Sequence, residues 1–173
     1  KGMKSADAAM TVGPIVVVFS VLGVIISGIM ADKLSKKTPR GNTIVLILGI
    51  VLGVPFMYLF LAAKTTQMMI FAISACMFFL SFLNGPTNAL LISLVEPKLR
   101  AILNGFHILL IHLLGDALSP IIIGHYSDVK NLEYALKILP LFLIAGCVGF
   151  ALAGIFVPKD LKAVEQRMKA IVQ

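Results

Sequence analysis

Apolar residues run through this chain in long blocks rather than in stripes. Five stretches, residues 8–31, 44–63, 68–95, 102–126 and 135–157, each hold about 20 or more mostly apolar residues, enough to cross a bilayer as an α-helix. They are apolar on all sides, as helices in lipid are, whereas a soluble helix shows one greasy face. The predicted fold class is therefore all-α: a polytopic transmembrane helical bundle of five spans, with 158–173 as a cytoplasmic tail. That tail alternates charge with Leu161, Val164, Met168 and Ile171, the pattern of a short amphipathic helix lying on a leaflet.

The spans are interrupted. Pro14, Pro55, Gly85-Pro86, Pro120 and Pro140 lie in or at the ends of them, where proline removes a ladder hydrogen bond and bends the helix. Gly49-x-x-x-Gly53 and Ala145-x-x-x-Gly149-x-x-x-Ala153 are small-residue ridges on which helices approach closely.

Composition agrees with the pattern. The 173 residues are 59% hydrophobic and 13% charged, against about 25% charged in soluble domains. The net charge of +7 sits in short clusters between apolar blocks, without the basic face that binds nucleic acid. Cys76 and Cys147 lie inside spans and read as buried packing thiols. Ten of the fifteen Lys and Arg fall in the first loop, the third loop and the tail, so these are predicted to face the cytoplasm. With five spans the N-terminus is then outside, which implies further helices upstream. The first residues lack a signal peptide, and the chain reads as a piece of a longer protein.

Against this background the polar residues within spans stand out. Asn104, His112, Asp116 and Ser119 fall within about 120° of helix face in the fourth span. Asp116 is the one acid placed inside a span, and no Lys or Arg lies there to pair with it. His112, four residues earlier, is in hydrogen-bonding reach. Such a pair can share a proton, which is how an intramembrane relay is built; a purely structural pair is the competing reading. In the third span Ser74, Ser81, Asn84 and Asn88 share about 80° of face around the Gly85-Pro86 break. Broken helices with polar side chains line transporter cavities, although Ser and Asn also glue helices together. His107 and His112 lie about 140° apart on a helix and cannot chelate one metal. His107 is expected to pack a neighbouring helix, and His125, beside Tyr126, to sit at the outer interface.

Two segments carry a family resemblance. Gly28-Ile-Met-Ala-Asp32-Lys33-Leu-Ser-Lys36-Lys37 resembles the loop motif of major facilitator transporters, with Ser35 where the motif has its second glycine. The run from Arg100 through His112-Leu-Leu-Gly115-Asp116-Ala-Leu-Ser119-Pro120 to Gly124 and Ser127-Asp128 resembles the eleventh helix of the Spinster-like branch. The resemblance covers nearly the whole chain and implies helices eight to twelve of a twelve-helix fold, the C-terminal half. It implies secondary active transport by alternating access, coupled to protons, of a lysophospholipid, a sphingolipid-like molecule or another amphipathic organic anion.

On this reading His112, Asp116, Asn104, Ser119, Asn84, Asn88 and Ser81 line the substrate and proton pathway. Gly28, Asp32, Lys33, Lys36, Lys37 and Arg100 form a conformational latch. The implied partners are a small lipid-like substrate, protons, membrane lipids and the N-terminal half of the transporter. No cofactor, metal or nucleic acid is expected. The implied location is the cell membrane, plasma or inner. An intramembrane lipid-modifying enzyme using His112 and Asp116 is the alternative, although Ser119 has no evident oxyanion donor beside it. A structural membrane subunit is the third reading.

Overall fold

The structure, a computed structural model, describes residues 5–129 and 136–172. The helices are α1 (Ser5–Ser35), α2 (Gly41–Ala62), α3 (Thr66–Leu80), α4 (Asn84–Ser93), α5 (Arg100–Leu110), α6 (Leu118–Val129) and α7 (Leu139–Val172). A 3₁₀ turn at Ser81–Leu83 joins α3 to α4, and a π-turn at Ile111–Asp116 joins α5 to α6. Counted through these joints, five helices are long and apolar enough to cross a membrane. The chain is a multi-pass integral membrane protein.

Helices in lipid gain nothing from hiding apolar side chains from one another, so close backbone contact has to hold them. Glycine supplies it here. A Cβ on Gly23 of α1 would sit 2.2 Å from the Phe78 carbonyl oxygen of α3. One on Gly49 of α2 would lie 2.7 Å from the Phe79 oxygen and 2.6 Å from Phe82 Cβ, and Gly53 abuts Leu80. The first ridge is thus the seam between α2 and α3. The second ridge does not pack: Ala145, Gly149 and Ala153 are exposed. Gly154, beside it, makes the close approach of α7 to α2, where a Cβ would meet Thr43 Cγ2 at 2.8 Å.

Two apolar clusters flank α2. Ala31, Val45 and Phe82 pack with Leu34, Phe78 and Phe79; Leu46, Leu90 and Val157 pack with Leu83, Phe150 and Leu161. Phe56 stacks on Phe79 at 5.6 Å, and Phe78 meets Phe82 edge-on at 5.5 Å. Of the buried hydroxyls, Thr43 Oγ1 and Ser74 Oγ have no partner among the described residues. Two others turn back onto their own helices: Ser27 Oγ donates to Val24 O at 2.9 Å and Ser81 Oγ to Met77 O at 2.7 Å. This spares those two an unpaired group in an apolar setting. Thr65 caps α3, its Oγ1 accepting from Met68 N at 3.3 Å.

The tail differs from the separate surface helix that the sequence predicts. Residues 158–172 continue α7 without a break, Pro158 included. Leu161 supplies the reason, since it packs into the second cluster. Beyond it Lys169 Nζ donates to Glu165 Oε1 at 2.7 Å. That hydrogen bond, with the ammonium charge behind it, holds the Glu165 carboxyl below its usual range. Residues 130–135, where the fifth predicted span begins, lie outside the described residues.

Gly49→Ala is expected to destabilise the protein in detergent by about 1–3 kcal/mol, the cost of overpacking a tight seam. Gly149→Ala, with nothing within 4 Å of the added methyl, is expected to stay within about 0.5 kcal/mol of the parent. Thermal unfolding of the two variants side by side checks both.

Candidate functional site: a polar cleft between α4 and α5

The breaks in the third and fourth spans shape the site. Pro86, in the first turn of α4, has no N–H for the ladder behind it. The chain passes this point as a 3₁₀ turn, with Asn84 Nδ2 donating to Ser81 O at 3.5 Å and Thr87 Oγ1 donating to Leu83 O. In the fourth span Pro120 cannot donate to the carbonyl of residue 116. The helix widens just before it: Ala117 N bonds His112 O at 2.9 Å, an i to i−5 step, and Ser119 Oγ donates to Gly115 O.

Between the broken segments lies a cleft of about 390 Å³. Asn84, Thr87 and Asn88 line it from α4, Asn104 and His107 from α5, and Phe150 closes it from α7. Three asparagines thus face one space, each offering both a donor and an acceptor. His107 belongs with them. Its Nδ1 is buried and has no hydrogen-bond partner among the described residues, which leaves one ring nitrogen for a ligand or water. The sequence reading gave His107 a packing role. The signal that finds it is spacing: with Asn104, Ile108 and Ile111 it forms one i, i+3, i+4, i+7 face.

The other predicted residues of the pathway sit elsewhere. Ser81 is buried against α1, its Cβ 3.1 Å from where a Cβ on Gly23 would lie, and Ser74 is buried as well. Leu83, Asn84, Thr87 and Asn88 form the cleft face of this span, and at about 100° per residue Ser81 lies roughly 90° from the middle of that face. His112 Nδ1 and Asp116 Oδ2 lie 2.6 Å apart, as the spacing predicts. Both side chains are 66% exposed and stand outside the cleft, on a face that the described residues leave uncovered. Helix geometry is the reason: at about 100° per residue His112 and Asp116 lie roughly 90° and 130° from the middle of the face formed by Asn104, His107, Ile108 and Ile111. Ser119 sits beyond it, bound to its own backbone.

The predicted latch residues gather at one end. Gly28 of α1 faces α4, its Cα 3.9 Å from where a Cβ on Gly85 would lie. Asp32, Lys33, Lys36, Lys37 and Arg100 are exposed. Among the described residues neither Asp32 nor Arg100 makes an ion pair.

A bundle of membrane-spanning helices with two spans broken beside a polar cleft is the architecture of transporters. Comparison with known proteins agrees. The chain is 33% identical to protein spinster homolog 1 of Xenopus tropicalis over 181 aligned residues, covering 95% of this chain and 34% of that protein. It is 29% identical over 168 residues to protein spinster homolog 3 of Danio rerio, covering 88% of this chain and 34% of the relative. To the sphingosine-1-phosphate transporter SPNS2 of Xenopus tropicalis it is 30% identical over 180 residues, covering 94% and 34% respectively. No family model matches the chain. The chain spans about a third of the length of the curated relatives that it matches. These matches place it with the Spinster-like branch of the major facilitator superfamily, as part of the C-terminal half.

With Cys76 and Cys147 replaced by alanine, Asn104→Cys is expected to react quickly with a charged, water-soluble thiol reagent. Phe106→Cys, on the opposite face of α5 and 56% exposed, is expected to react at least about tenfold more slowly, because a thiol facing hydrocarbon stays protonated. Equal labelling rates would show that the cleft is no wetter than the lipid-facing surface.

Proposed function

We propose that this chain is part of a secondary active transporter of a lipid-like or other amphipathic organic anion, working by alternating access and coupled to protons. The observation that carries the proposal is the juxtaposition of Asn84, Asn88, Asn104 and His107 around one cleft between two broken spans. Neutral donors at membrane depth can hold an anionic headgroup without an opposite fixed charge, and broken helices can rock about it. The lipid-like class is supported by the relatives, two of which are sphingosine-1-phosphate transporters.

The His112–Asp116 pair is the proposed proton site. An ionisable pair at mid-span is costly to keep against lipid, so its uncovered face is assigned to the side on which the rest of the longer relatives' fold sits. There it meets a wet passage rather than hydrocarbon. A conformational latch of Asp32, Lys33 and Arg100 with its neighbours is part of the proposal, at an end of the bundle proposed to face the cytoplasm together with the C-terminus. Transport is preferred to the enzyme reading because relatives are named as transporters; Ser119 Oγ donates to Gly115 O.

Asp116→Asn in the full-length protein is expected to lower pH-gradient-driven transport in reconstituted vesicles by about a hundredfold, since an amide cannot take up and release the proton. Melting temperature should be unaffected. Asn104→Ala should weaken substrate binding while leaving the pH dependence alone. Parent-like uptake with a parent-like pH profile in Asp116→Asn would remove the pair from the mechanism.

A further inference from the structure

A second hollow, of about 410 Å³, lies at the end of the bundle where α1 passes into α2. One wall is the 35–39 turn and the other is α7 just past Val157. Lys36, Lys37 and Lys162 line it, over an apolar part made by Pro39, Pro158 and Leu161.

Its walls are fixed. Gly41 admits no side chain, since a Cβ there would lie 2.2 Å from Ser35 N, so the turn is held hard against the end of α1. Lys37 N and Thr38 N both bond Leu34 O, at 3.0 and 2.9 Å. The opposite wall hangs on the same helix, because Gly154 of α7 packs on Thr43 of α2.

Its charge is uncompensated. Glu165, the one acid in the lining, is taken by Lys169 at 2.7 Å. Among the described residues no carboxylate pairs with Lys36, Lys37 or Lys162. Thr38 Oγ1 accepts from Arg40 N at 3.4 Å, which leaves its proton to donate into the hollow.

Position decides the occupant. The apolar run of α1 ends at Ala31 and that of α7 at Val157, so the hollow sits where the hydrocarbon stops and the headgroups begin. Three unpaired ammonium groups above an apolar floor at that depth match a phosphodiester with the glycerol and first acyl carbons beneath it. We propose that this hollow binds the phosphate-bearing headgroup of an anionic phospholipid from the surrounding bilayer. The site is separate from the transport cleft and does not depend on the transport reading.

The test uses the full-length protein in a neutral detergent, titrated with dioctanoyl phosphatidylglycerol, dioctanoyl phosphatidylcholine and glycerol 3-phosphate. Phosphatidylglycerol is expected to bind saturably and phosphatidylcholine to bind far more weakly. Alanine at Lys36, Lys37 or Lys162 should weaken phosphatidylglycerol roughly fivefold per lysine removed, each being worth about 1 kcal/mol near an anionic headgroup. Lys162→Arg should retain binding, and Lys64→Ala, in a different loop, should change nothing. If the loop variants fold poorly, Lys162→Gln on the exposed helix surface reads the same effect. Equal binding of the two lipids, or lysine variants that bind like the parent, would overturn the proposal. Glycerol 3-phosphate binding as tightly as the lipid would overturn the lipid occupant in favour of a soluble anion. Asp116→Asn should bind phosphatidylglycerol unchanged; loss of binding there would merge this site with the transport pathway and refute its independence.

Discussion

Backbone contact at Gly23 and Gly49 is the constraint from which the rest of the arrangement follows. Neither position has room for a methyl group, because carbonyl oxygens of α3 occupy the space. With α3 pressed into both α1 and α2, its C-terminal end is fixed, and Ser81 is buried against α1. The chain must then leave that seam to continue as α4. It does so through a 3₁₀ turn, beyond which Asn84 and Asn88 line the cleft that faces α5. The cleft is therefore a consequence of a seam on the other side of the same span.

Small polar side chains bond backbone carbonyls close to each break. Asn84 and Thr87 donate to Ser81 O and Leu83 O around the first, and Ser119 donates to Gly115 O at the second. Small polar side chains beside a proline thus have two roles. Some satisfy the backbone, and others, such as Asn88 and Asn104, remain directed at the cleft. Helical spacing does not separate the two.

Much was legible from residue order. The five apolar blocks, the Gly49–Gly53 seam and the His112–Asp116 hydrogen bond are all local in origin, set by composition or by a spacing of four. The grouping of Asn84, Asn88 and Asn104 was also within reach as two polar stripes on successive spans. Ser81, His112 and Asp116 sit at the margins of these stripes, about 90–130° from the middle of the face that lines the cleft. Residue order does not show which part of a polar stripe a neighbouring helix will meet. His107 was passed over because a lone histidine among leucines usually packs, and nothing local marks its Nδ1 as unpartnered.

The sequence alone determined that this is a membrane-spanning helical protein and which ionisable pair it carries in mid-span. It also determined that the third and fourth spans are interrupted near Pro86 and Pro120, though Pro14 and Pro55 lie within unbroken helices. Those properties depend on transfer of side chains to lipid and on proline's missing N–H, both of which act residue by residue. Tertiary structure decided which polar groups meet. It put three asparagines and His107 around one cleft, left the His112–Asp116 pair on an uncovered face, and closed two separated basic segments into one hollow. Those outcomes turn on which faces of the helices meet, set by the depth of the glycine contacts between them.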